Sequence, residues 1–182
     1  MALFQADPGM PSNTAVTTPS ANDRALRREG TAVDDFVGDI IDAYPIIDGI
    51  ELRRDLDCAD QIFADRDAMR QVLVALLDNA VQALQDPAWV APAGHRGQCL
   101  VSTQFITTHV LLTVGDNGPG IARDLLPVIF DVGSGLPMVR QIVEAHGGTV
   151  DVSSEAGQGT TVTIWLPRHR AARPTVRVAV AA

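Results

Sequence analysis

The chain has 182 residues, 46% of them hydrophobic, with a formal net charge of −8 and a pI near 4.8. That is a one-domain length with enough apolar material for a core, and the acidic balance disfavours nucleic acid as a partner. No apolar run reaches the roughly 18–20 residues of a membrane helix, and no basic-then-apolar segment marks a signal peptide.

Residues 1–30 are rich in Pro, Ser, Thr, Ala and Asn without periodicity, so 1–31 reads as a linker or tail. Val33, Phe36, Val37, Ile40 and Ile41 predict a short helix over 32–43, stopped by Pro45. Ile50, Leu52 and Leu56 predict a strand over 50–56 with Glu51 and Arg53 outward. Asp65 is then a good N-cap for the strongest helix of the chain. Its stripe runs through Met69, Val72, Leu73, Leu76, Leu77, Ala80 and Leu84, and Pro87 ends it.

Trp89 to Gly97 reads as a loop. Strands follow over 98–106 and 109–115 around a turn at Thr107-Thr108. Ile121 to Phe130 reads as a short helical piece. Leu136, Val139, Ile142 and Val143 predict another helix, closed by Gly147-Gly148. Strands over 149–154 and 160–166 flank Gly157-Gln158-Gly159 as a closing hairpin, and 168–182 reads as a tail. About five strands and three or four helices, grouped rather than alternating, suit an α/β two-layer sandwich. One face of a mixed sheet is then covered by helices, in a folded domain spanning 32–167.

Three segments stand out chemically. Asp116-Asn117-Gly118-Pro119-Gly120 follows an alternating apolar run, leaving a carboxylate at a strand end before a glycine turn. Taken alone, Asp116 equally caps a turn. Asn79 lies beside the core stripe of the long helix, and an isolated Asn there is a solvated position. Gly133-Ser134-Gly135 opens the helix at Leu136, with Pro137 well placed in its first turn, and such an entry offers free N–H groups to phosphate. Cys58 and Cys99 have no metal-ligand spacing and read as reduced thiols of a cytoplasmic protein. His146, at a helix end before Gly147-Gly148, reads as a capping or packing residue. No Ser-His-Asp arrangement is visible.

Taken in order, these segments resemble the nucleotide site of the GHKL (Bergerat-fold) superfamily of kinases and ATPases. Gln71-Val-Leu-Val-Ala-Leu-Leu-Asp-Asn-Ala-Val-Gln-Ala-Leu84 is similar to the N box of bacterial sensor histidine kinases, and Gly133 to Gly148 to their second glycine box. Gln82 and the Gly-Leu-Pro-Met-Val run are most like the nitrogen-regulation type. The resemblance implies a catalytic domain that binds ATP or ADP and passes the γ-phosphoryl group to a histidine. It implies Asn79 as the Mg²⁺ ligand and Asp116 as acceptor from the adenine amino group, which selects ATP over GTP. Gly118 and Gly120 would approach the base, Thr160 would support it through a hydroxyl, and Gly133, Gly135 and Leu136 would meet the phosphates. The implied partners are a histidine-containing dimerisation domain and a response regulator, with no membrane contact by this chain.

Three departures accompany the resemblance. No histidine lies in a phosphoacceptor context. Ala75 stands four residues before Asn79, where most histidine kinases carry Asn and hydrolytic or anti-sigma branches carry Glu. Phe130-Asp131-Val132 runs directly into Gly133, so the ATP lid is severely shortened. A degenerate, non-catalytic interaction module is therefore the alternative, with an anti-sigma serine kinase a more distant one.

Overall fold

The computed structural model describes residues 26–45, 47–131 and 135–169. Among them the order is β1 (Glu29–Ala32), α1 (Val33–Ala43), β2 (Ile50–Leu56), β3 (Gln61–Ala64), α2 (Arg66–Leu84), β4 (Gly97–Ile106), β5 (His109–Asp116), α3 (Leu136–Ala145), β6 (Thr149–Glu155) and β7 (Gly159–Pro167). Five strands form one sheet in the order β2-β4-β5-β7-β6. β2 runs parallel to β4, and every other pairing is antiparallel. The mixed sheet expected from the sequence is present.

Alternation along each strand decides which face meets the helices. Cys99, Val101 and Thr103 of β4, Val110, Leu112 and Val114 of β5, and Val162, Ile164 and Leu166 of β7 are all buried. Leu100, on the opposite face, is exposed. The α2 stripe from Met69 to Ala80 packs on this inner face with Val33, Phe36, Val37 and Ile40 of α1 and Val139 and Val143 of α3. Asp65 caps α2 as expected: its carboxylate accepts the N–H groups of Asp67 and Ala68, both at 3.1 Å. His146 acts as a cap too. It is 5% exposed, its Nδ1 lies 2.7 Å from Ile142 O, and its Nε2 accepts the Asp65 N–H at 3.0 Å.

Three features differ from the sequence reading. β1 and β3 pair antiparallel as a separate two-stranded sheet, joined at Ile62 by a bridge from Arg168. Each has four residues, too few to display a period, and Glu29–Thr31 fall within what reads as a linker. Ile121 to Phe130 contains only the 3-10 turn Leu126–Val128, because Pro127 at its centre cannot continue an α-helical ladder. Arg168 and His169 belong to the fold rather than to a tail: Arg168 pairs with Asp60 at 2.7 Å, and the His169 N–H donates to Gln61 O.

Candidate functional site

β5 ends where α2 passes over the sheet, and the space between them is a cleft of about 630 Å³. Asn79, Ala80 and Ala83 of α2 form one wall. Val114 and Asp116 of β5 with Thr160 and Val162 of β7 form the floor, while Gly120, Ile121 and Leu136 close the sides. Both layers of the fold thus contribute, as ligand sites commonly require.

Asp116 is the last residue of β5 and lies opposite Cys99 on one side and Thr160 on the other. Burial pushes its carboxyl above the ordinary carboxylate range, while N–H donation from Gly118 and Thr160 opposes that shift. The Gly118 N–H reaches Oδ1 at 2.8 Å. These donors hold the carboxylate in one orientation without covering all its lone pairs. Cys99 beside it has its thiol pushed up to about 12, first by burial and then by the Asp116 charge.

The glycine turn is fixed by close backbone approach. Gly120 has φ of +66°, and a Cβ there would lie 2.1 Å from Glu155 O, so no side chain fits. The turn and the β6–β7 hairpin are joined by the Gly157 N–H donating to Pro119 O at 2.6 Å. Asn117 anchors the turn to β4: its Oδ1 accepts the Gln98 N–H at 2.7 Å and its Nδ2 donates to Arg96 O at 2.9 Å.

On α2, adjacent residues part company. Asp78 faces away and accepts the Tyr44 O–H at 2.7 Å, whereas Asn79, half-buried, lines the cleft. Leu136, the first residue of α3, is 5% exposed and closes the same space. Gly135, the α3 N-cap, has φ of +74°, and a Cβ there would lie 3.8 Å from the Ala75 Cβ. The entry to α3 therefore abuts α2 one turn before Asn79. Phe130 is held nearby by the Arg140 guanidinium, 5.0 Å from its ring centroid.

Of the residues singled out in the sequence, Asn79, Asp116, Gly120, Leu136 and Thr160 share this cleft. Gly118 does not line it but donates its N–H to Asp116, and Gly135 is the N-cap of α3, next to Leu136 in the cleft. Gly133 lies outside the described residues. Sequence reasoning missed Ser154 and the anchoring role of Asn117. Ser154 faces Thr160 across β6 and β7 with Oγ atoms 3.0 Å apart, and it also accepts the Ile121 N–H at 2.8 Å. Only its inward position in the β6 alternation marked it. Among the described residues, no group of three or more His, Cys, Asp or Glu side chains could hold a metal, and no helix is long and apolar enough to cross a membrane.

Residues 64–170 match the family described as histidine kinase-, DNA gyrase B-, and HSP90-like ATPases. The sensor histidine kinase ZraS of Escherichia coli K12 is 39% identical over 120 residues, which are 61% of this chain and 24% of ZraS. The chain thus spans about a quarter of the length of that relative. Among solved structures, full-length ShkA in complex with AMPPNP superposes with a TM-score of 0.68 at 26% identity, over 82% of this chain and 33% of ShkA. Histidine kinase ThkA in complex with the response regulator TrrA shares the fold, with a TM-score of 0.63 at 22% identity, over 78% of this chain and 42% of ThkA.

Proposed function

The chain belongs to the histidine kinase-, DNA gyrase B-, and HSP90-like ATPases and carries the ATP-binding catalytic domain of sensor histidine kinases; from that premise we propose how its cleft serves phosphoryl transfer. Adenine lies at the floor, where the Asp116 carboxylate accepts from the 6-amino group. The phosphates extend past Asn79 toward the α3 entry at Gly135, where N–H groups and the helix dipole favour negative charge. Transfer breaks the bond between the γ-phosphorus and its bridging oxygen, forms an N–P bond on a histidine imidazole, and releases ADP. The imidazole is its own nucleophile, so the domain supplies position and electrostatics rather than a base. A response regulator is the proposed downstream partner, and the proposed acceptor histidine lies on a dimerisation domain or another chain.

Mg²⁺ fits this donor set through a single protein ligand. Asn79 lines the cleft and would offer its amide oxygen, and Mg²⁺ commonly keeps waters and phosphate oxygens for the rest of its shell. When bound, the ion would neutralise phosphate charge. Ala75 adds no second oxygen.

The observation that carries this reading is the half-enclosed Asp116 carboxylate at the end of a floor whose other residues are Val114, Val162 and Thr160. Calorimetric titration with ATP, ADP and GTP, with and without Mg²⁺, tests it: the adenine nucleotides bind and GTP does not. Equal binding of ATP and GTP overturns the adenine assignment. Ala75 favours a second reading, an interaction module that binds a partner without transferring phosphate, and absence of all nucleotide binding would support it.

A further inference from the structure

The hydroxyls of Ser154 and Thr160 lie at the edge of the cleft floor, and their protons can be counted. The Ser154 Oγ–H donates to Gly159 O at 2.9 Å. The same oxygen accepts the Ile121 N–H at 2.8 Å and lies 3.0 Å from Thr160 Oγ1. A serine hydroxyl has one proton and two lone pairs. With its proton committed to Gly159 and one lone pair to Ile121, only a lone pair faces Thr160. The Thr160 hydroxyl must therefore be the donor in that pair, and its own oxygen faces the cleft as an acceptor only.

From this we infer that Ser154 is a positioning residue that sets the hydrogen-bond polarity of the base pocket. Asp116 and Thr160 are partners across adjacent strands, and both line the cleft. Together they form a wall of two acceptors. Such a wall recognises an edge that presents two donor hydrogens, as the exocyclic amino group of a 6-aminopurine does. It rejects a 6-oxopurine, whose carbonyl would face lone pairs on both sides, and leaving such groups unpaired is what makes discrimination strong. The inference rests on the adenine reading and extends it: Ser154 keeps Thr160 from rotating its proton into the cleft and rescuing the wrong base.

The experiment is equilibrium titration of the full chain with ATP and with inosine triphosphate, which differs at the 6-position. Wild type prefers ATP. Ser154→Ala frees the Thr160 proton, so the preference shrinks by about tenfold, largely through tighter inosine triphosphate binding. Ser154→Thr keeps the hydroxyl and the preference. Thr160→Val removes the acceptor while leaving Ser154 and its two backbone bonds in place, and it also shrinks the preference; adding Ser154→Ala to it changes nothing more. Thr160→Val carries the test if Ser154→Ala unfolds. A Ser154→Ala protein that keeps the wild-type ratio, or a Thr160→Val protein that does so, overturns the inference while leaving Asp116 in its role. A wild type that binds both nucleotides equally overturns both readings together.

Discussion

His146 accepts the backbone N–H of Asp65 at 3.0 Å, tying the end of α3 to the start of α2. Its other ring nitrogen lies 2.7 Å from Ile142 O, so that nitrogen carries the proton and both are engaged. His146→Ala leaves a half-buried N–H and a carbonyl without this partner and should cost about 1–3 kcal/mol, read by urea unfolding. The same engagement predicts chemistry. With labelled ATP alone, the chain should show no acid-labile phosphate on His146, and label found there by peptide mapping would contradict the reading.

Asp116 should separate binding from stability. Asp116→Asn puts a donor opposite the adenine amino group and should weaken ATP by roughly tenfold to a hundredfold. Its folded pKa is raised by burial, so the ionised carboxylate destabilises the free fold at neutral pH, and that penalty is relieved as pH falls through the folded value. The substitution should therefore leave the melting temperature at pH 7 unchanged or slightly higher. ATP affinity should fall with acidification above the ordinary carboxylate range, while Asp116→Asn should show no such dependence.

The Asp65 carboxylate has the opposite sign. Donors from Ala68 and Arg27, the largest causes, lower its pKa, so its contribution is full above the unfolded value and is lost as pH falls through the folded one. Asp65→Ala should cost about 0.5–2 kcal/mol at pH 7 and much less in strong acid. Denaturation curves at the two pH values check both halves.

Ala75 bears on the phosphates. With Ala75 in place of a second amide one turn before Asn79, and only four residues between Phe130 and Gly135, Mg²⁺ should add little, and ATP and ADP should bind with similar affinity. Ala75→Asn places a second amide one helical turn away and should make ATP binding Mg²⁺-dependent by several-fold. A wild type that already prefers Mg-ATP over ADP by tenfold would mean that another segment covers the phosphates.

Most of the fold was legible because its strong elements are long or well punctuated. The α2 stripe spans five turns behind an Asp cap, and β4 to β7 alternate cleanly between turns. Glu29–Ala32 and Gln61–Ala64 were not legible, because four residues stabilised by each other carry no pattern of their own. The Ile121–Phe130 segment misled because apolar content was read as helix despite Pro127. In the cleft, Asp116, Asn79 and the glycines were visible as motifs. Ser154 was not, because its importance comes from facing Thr160 across a ladder rather than from its neighbours in sequence.

The two outer strands of the large sheet, β2 and β6, each leave one row of backbone donors and acceptors unpaired within it. Such rows invite another chain to add a strand. Along β2, Glu51, Arg53, Arg54 and Asp55 place charge on four of its seven residues, with Arg53 bound to Glu51 and Arg54 to Asp42. Along β6, Asp151 and Glu155 bracket two serines. A strand stacking against either border would have to strip water from these charges or repel its own copies. The sheet thereby resists lateral growth into fibres, and neutralising Glu51, Arg53 and Asp55 together should make the protein aggregate.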